Sequence, residues 1–211
     1  MRAIRVVLGD DHGLVREGIK ACLESPRVLV VGEAEDGREL VRCVQALRPD
    51  IALVDVSMPL LNGIEATRQI ARISPGTRVV ILSMFDDKGT VSSARDAGAW
   101  AYVLKDEAPD HLVRTIERVH EGERSFPAGT EGLPSPKLPV DLTPREREVL
   151  QLVAEGMRSA EMARVMKRSV CTIRNHRARL MKKLGVRTAA ALVEKAEELG
   201  VVRLEAARRS A

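Results

Sequence analysis

The chain has 211 residues, 45% of them hydrophobic but only 2% aromatic, with a formal net charge of +4. That length suits two modest domains with aliphatic cores, no apolar run approaches the ~18 residues that span a bilayer, and three scattered cysteines exclude a disulfide framework. Charge is divided unevenly: residues 1–122 carry 16 Lys+Arg against 19 Asp+Glu and residues 123–211 carry 18 against 11, so the second half is the one suited to a polyanion.

The first apolar run, 4–8, leads straight into Asp10-Asp11 with no cleavage site. This argues against a secretory leader and, with so few thiols, for a cytoplasmic protein. In chain order the pattern predicts a strand at 4–9, a helix at 14–25, a strand at 28–32 and a helix at 37–47. It continues with a strand at 51–55, a helix at 63–73, a strand at 78–83, a helix at 87–97, a strand at 100–104 and a helix at 109–121. Pro49, Pro75 and Gly98 punctuate it. Five strands alternating with five helices predict an α/β doubly wound (βα)5 domain over 1–122 with a parallel sheet.

In such sheets ligands bind beyond the carboxyl ends of the strands. Asp10 and Asp11, Asp55, Ser83 and Lys105 each follow one of those runs. Singly, Asp11 reads as a helix cap and Lys105 as a surface cation; together they deliver three carboxylates, a hydroxyl and an ammonium to one crevice. Clustered carboxylates call for a hard cation such as Mg²⁺, and one of them can hold a phosphoryl group as an acyl phosphate. Lys105 and Ser83 would then compensate its charge and donate to it.

Asp10-Asp11-His12, Asp55-Val56-Ser57-Met58-Pro59, Asn62-Gly63, Ser83-Met84-Phe85-Asp86-Asp87 and Tyr102-Val103-Leu104-Lys105-Asp106 resemble a bacterial receiver domain, and their wording is similar to response regulators of the NarL/FixJ type. The resemblance implies that Asp55 accepts phosphate from a sensor histidine kinase. It implies metal binding by Asp10, Asp11 and Asp55, with the carbonyl after Asp55 (Val56) also near Mg²⁺. It further implies that Ser83 and Tyr102 form a switch pair, the hydroxyl moving to the phosphate and the ring turning inward.

Residues 123–141 hold four prolines, two glycines and no periodicity, which predicts an extended, moderately stiff linker. Beyond it, Thr143-Pro144-Arg145-Glu146 is a capping box with proline at the first helical position. It opens a helix ending near Gly156. Helices at 159–166 and 170–184, joined by Lys167-Arg168-Ser169, predict a helix-turn-helix within an all-α domain at 142–204, followed by a tail at 205–211.

At 100° per residue, Val170, Ile173, Leu180, Met181 and Leu184 share the face of the 170–184 helix expected to meet the core. Thr172, Asn175, Arg179 and Lys182 lie opposite with Cys171, flanked by Arg174, His176 and Lys183, while Arg177 falls within the apolar arc and is expected to snorkel or touch phosphate. Between 158 and 187 there are ten Lys+Arg and one acid, Glu161. A merely solvated helix mixes both signs, so Thr172, Arg174, Asn175, His176, Arg179 and Lys182 are assigned to DNA, with Arg174 to guanine and Asn175 to adenine by donor geometry. Cys171 is a passive small residue or a thiol of lowered pKa.

The stretch from Leu142-Thr143-Pro144-Arg145-Glu146 to Lys182-Lys183-Leu184-Gly185-Val186 is similar to the LuxR-type DNA-binding domain. It departs from that pattern at Ser159-Ala160, Val170, Cys171 and Arg177, which leaves the operator sequence open. Together the resemblances imply a phosphorylation-controlled transcriptional regulator, not an enzyme, that binds double-stranded promoter DNA as a homodimer. The last helix, 188–199, supplies part of the dimer seam, and RNA polymerase is a further partner that this reading admits. An aspartyl phosphatase would want a second acid where Ser57 stands, and a regulator that ignores phosphate would not need the whole pocket.

Overall fold

The computed structural model describes residues 2–23, 25–130, 132–133 and 142–202. The chain divides into two compact units, Met1–Pro136 and Lys137–Ala211.

The first unit runs β1 (Ile4–Gly9), α1 (Gly13–Leu23), β2 (Val28–Ala34), α2 (Gly37–Leu47), β3 (Ile51–Asp55), α3 (Gly63–Ile73), β4 (Arg78–Ser83), α4 (Lys88–Ala97), β5 (Ala101–Leu104) and α5 (Pro109–Glu121). The strands pair in parallel in the order β2-β1-β3-β4-β5. Because side chains alternate across a strand, each central strand feeds two cores. Val7, Val54 and Ile81 join Leu40, Val44 and Ile70 under α2 to α4. Val6, Leu8, Leu53, Val80 and Leu82 join Leu112 and Ile116 on the α1–α5 side. Helix starts are fixed by short polar caps: Asp36 accepts the Arg38 and Glu39 amides, Asn62 that of Glu65 and Asp87 that of Thr90.

Two boundaries differ from expectation. Helix α1 stops at Leu23, and β2 extends to Ala34 because a register shift between Val6 and Val7 lets β1 keep pairing. The stretch expected as a free linker, 123–141, is bound at its start. Ser125 pairs with Ala101 as a short parallel bridge, and Leu133 accepts a hydrogen bond from Ser92. Here β5 is an edge strand whose open backbone groups can take one more partner. Residues 134–141 of that stretch and the tail 205–211 lie outside the described residues.

The second unit comprises α6 (Pro144–Ala154), α7 (Ser159–Val165), α8 (Val170–Leu184) and α9 (Ala189–Glu198). Thr143 and Glu146 form the expected reciprocal cap, at 3.2 and 2.8 Å. Val149, Leu150, Leu152, Met162, Ile173, Leu180, Leu192 and Ala196 are fully buried. The turn into α8 places Lys167 at φ 51. Val170, expected in the core, is 37% exposed: it is the first residue of α8, and the buried stripe begins a turn later at Ile173.

Candidate functional site

The loops after β1, β3, β4 and β5 bring the predicted residues together. The Asp10 side chain is fully buried, and Lys105 extends its ammonium between Asp10 Oδ2 at 2.7 Å and Asp55 Oδ1 at 2.8 Å. The second oxygen of each acid meets a backbone amide, His12 N–H on Asp10 Oδ1 at 2.9 Å and Ser57 N–H on Asp55 Oδ2 at 3.1 Å. Asp11 lies at the rim with 27% of its side chain exposed, hydrogen-bonded to His12 Nδ1 at 2.8 Å.

Backbone geometry makes this possible. The extension of β2 lets Ala34 accept the Asp10 N–H at 3.1 Å, while Arg16 donates to the Asp10 carbonyl at 2.8 Å. After Asp55 the chain turns tightly: Leu61 N–H bonds Pro59 carbonyl at 2.7 Å around Leu60 at φ 64, a γ-turn. It then returns so closely that a Cβ on Gly63 would stand 2.1 Å from the Asp55 carbonyl oxygen. The Val56 carbonyl, implied near Mg²⁺ by resemblance, accepts the Gly63 N–H at 2.9 Å, so it is already engaged with the start of α3.

Burial raises the Asp55 pKa; Lys105 opposes the shift, and the Asp10 and Asp11 carboxylates reinforce it. Burial alone would lower the Lys105 pKa, but Asp55 and Asp10 outweigh it and hold the ammonium charged. Three acids facing one lysine leave an excess of negative charge, and their oxygens are of the kind a hard divalent cation takes. The ligand atoms of Asp10, Asp11 and His12 lie within 4.8 Å of one another, while Asp55 is joined to them through Lys105. The residues present therefore fit Mg²⁺.

Ser83 ends β4, 3% exposed. Its Oγ accepts the Phe85 N–H at 3.1 Å, and its own proton has no acceptor among the described residues. The Tyr102 ring is 3% exposed, already inward, and its hydroxyl donates to the Phe85 carbonyl at 2.6 Å. The two hydroxyls thus bracket one peptide unit of the β4–α4 loop. Arg16 was not singled out in the sequence, and the roles of the Ser57 amide and the Phe85 carbonyl are revealed only by the loop geometry.

In the second unit, α7 and α8 form the two arms of a helix-turn-helix. Arg174, Asn175, Arg179 and Lys182 are exposed on α8, and Thr172 and His176 are half-buried. Arg174, Arg179 and Lys182 have no acidic partner among the described residues. Lys183 is instead paired with Glu146 at 2.9 Å, and Thr172 Oγ1 lies 2.8 Å from the Ser169 hydroxyl that caps the helix. Arg177, expected to snorkel or touch phosphate, is half-buried, and its guanidinium donates to Ser159 Oγ at 3.0 Å, clipping α8 to the start of α7.

Residues 6–117 match the model of the response regulator receiver domain, and residues 140–196 match that of the bacterial regulatory proteins of the luxR family. The transcriptional regulatory protein MctR of Rhizobium johnstonii is 37% identical over 94% of this chain and 95% of its own. A structure of the RcsB response regulator of Salmonella typhimurium superposes with TM-score 0.64 at 31% identity, covering 94% and 99% of the two chains. A structure of two RcsB dimers bound to two parallel DNAs gives 0.58 at 31% identity over 94% and 100%.

Proposed function

This chain belongs to the two-component response regulators of the NarL/FixJ type, and from that membership we propose that phosphorylation of Asp55 controls how its LuxR-type domain binds promoter DNA. The observation that carries the proposal is the Lys105 ammonium shared between two buried carboxylates, 2.7 Å from Asp10 and 2.8 Å from Asp55.

A carboxylate oxygen of Asp55 attacks the phosphorus of a phosphohistidine on the sensor kinase. The new O–P bond forms as the P–N bond breaks, and the departing imidazole takes up a proton. Asp10, Asp11 and Asp55 would hold Mg²⁺, which when bound would supply charge neutralisation to the crowded oxygens. Lys105 swings from pairing two carboxylates to pairing the phosphoryl group, and Ser83, whose hydroxyl proton has no acceptor among the described residues, donates to it. If Ser83 turns to the phosphate, the Phe85 amide loses its acceptor, and the loop tied to Tyr102 must move.

On DNA, α8 enters the major groove. Arg174 and Asn175 read base edges, Arg179 and Lys182 hold phosphates, and Thr172 and His176 support them. A homodimer, joined in part through α9, addresses two half-sites. The protein works where kinase and promoter meet, in the cytoplasm.

The test uses acetyl phosphate with Mg²⁺ on the full chain. One phosphoryl group per chain is expected by intact mass, absent in Asp55→Asn, together with a gain in affinity for a DNA duplex selected from a random library. Equal affinity of labelled and unlabelled protein would overturn the reading.

A further inference from the structure

Ser159 of α7 and Arg177 of α8 hold a hydroxyl and a cation that the second unit leaves incompletely used. Both are half-buried. The Arg177 guanidinium donates to Ser159 Oγ at 3.0 Å, and among the described residues it has no carboxylate partner. Glu161 is the one acid between 158 and 187, and it accepts the Arg158 N–H at 2.6 Å instead. The Ser159 hydroxyl takes the bond from Arg177 as acceptor, and its own proton has no acceptor among the described residues. A guanidinium carries five N–H donors, so one hydroxyl leaves most of them open.

Such an arrangement is costly in the free protein. A half-buried cation facing a neutral partner loses hydration that no ion pair returns, and an aliphatic side chain in the apolar arc of α8 would avoid that loss. The open guanidinium donors and the hydroxyl proton lie side by side, as recognition of a phosphate oxyanion requires. Position says which phosphate. In a helix-turn-helix the second helix enters the major groove while the first crosses the backbone. Ser159 opens the first arm and Arg177 belongs to the second. Exposed Arg174 precedes Arg177 by three residues and is its neighbour on the helix surface. The pair therefore bridges both arms beside a residue assigned to base edges, where groove and backbone meet.

We propose that Ser159 and Arg177 form a clamp for one phosphate of the DNA backbone: guanidinium and hydroxyl donate to its oxygens, and the phosphate supplies the counter-charge that the free domain lacks. The clamp rests on α8 being the recognition helix and is independent of Asp55. It adds affinity without sequence preference, because phosphates are common to every duplex.

The test titrates the full chain, held in one phosphorylation state, with the duplex selected from a random library and with a scrambled duplex over a range of salt. Arg177→Leu is expected to weaken binding to both duplexes by the same factor, about tenfold, and to flatten the log–log salt slope by about 0.9. Its melting transition for the second unit is expected to stay or rise. Arg177→Lys keeps the charge and is expected to recover the parent's slope. Ser159→Ala is expected to weaken binding about threefold with the slope unchanged. When backbone phosphates are replaced singly by methylphosphonate, one position should weaken the parent and leave Arg177→Leu unaffected. An Arg177→Leu slope equal to the parent's, whether or not the melting transition falls, would overturn the clamp alone, as would the lack of any such backbone position. Arg179→Ala is the control: if it too keeps the parent's slope, the recognition-helix reading falls and the clamp with it.

Discussion

Lys105 sets the electrostatic balance of the pocket. Removing the ammonium that joins the buried Asp10 and Asp55 leaves two carboxylates without their shared counter-charge, so Lys105→Met is expected to cost about 3 kcal/mol of stability in urea titrations at neutral pH in EDTA. Mg²⁺ should recover much of it. Because the folded-state pKa of Lys105 is raised, its stabilisation is complete below the ordinary lysine value and is lost as pH climbs through the raised one. The penalty is therefore full at pH 7 and fades in strong alkali.

Asp55 has the opposite sign. Its pKa is also raised, which for an acid means that ionisation costs the fold. Asp55→Asn leaves Lys105 paired with Asp10 and removes one like charge, so it is expected to stabilise by about 1 kcal/mol. That gain is absent in acid, below the ordinary carboxylate value, and grows as pH rises through the raised one. A neutral-pH melting temperature lower than the parent's would contradict this account.

Elements hold the pocket in place through turns more than through helices. Glycine is required at 63 because a methyl group there meets the Asp55 carbonyl. Gly63→Ala is therefore expected to cost about 3 kcal/mol or more in the first unit, read by denaturation, with labelling lost in proportion. In the second unit the Ser169 hydroxyl accepts the Thr172 N–H at 3.1 Å and caps the recognition helix. Ser169→Ala should cost about 1 kcal/mol there and nothing in the receiver. The angular reading of α8 was correct for Ile173 and Leu180 but not for its first residue. Periodicity assumes equal cover along the whole helix, and at its first residue, Val170, that cover is incomplete, leaving 37% exposed.

For the whole molecule, two compact units imply two melting transitions in calorimetry, and beryllofluoride with Mg²⁺ should raise the receiver transition by ligand linkage. Association with DNA should fall steeply with salt, since Arg174, Arg179 and Lys182 are exposed without acidic partners among the described residues. Arg179→Ala is expected to flatten the log–log slope by about 0.9, the contribution of one phosphate contact. A slope equal to the parent's would remove Arg179 from the interface.

The sequence by itself determined the alternation of strands and helices, the strand ends that carry Asp10, Asp55, Ser83 and Lys105, the Thr143 cap and the cationic face of α8. These follow from local period and residue chemistry, which a linear pattern records. Only the tertiary structure decided that one ammonium serves both acids, that Arg177 clips two helices, that the Val56 carbonyl accepts the Gly63 N–H, and that Ser125 pairs with β5 while Thr130 meets Arg95 of α4. Each of these joins residues far apart in the chain or depends on which backbone group is left open at a sheet edge, and neither is written in periodicity.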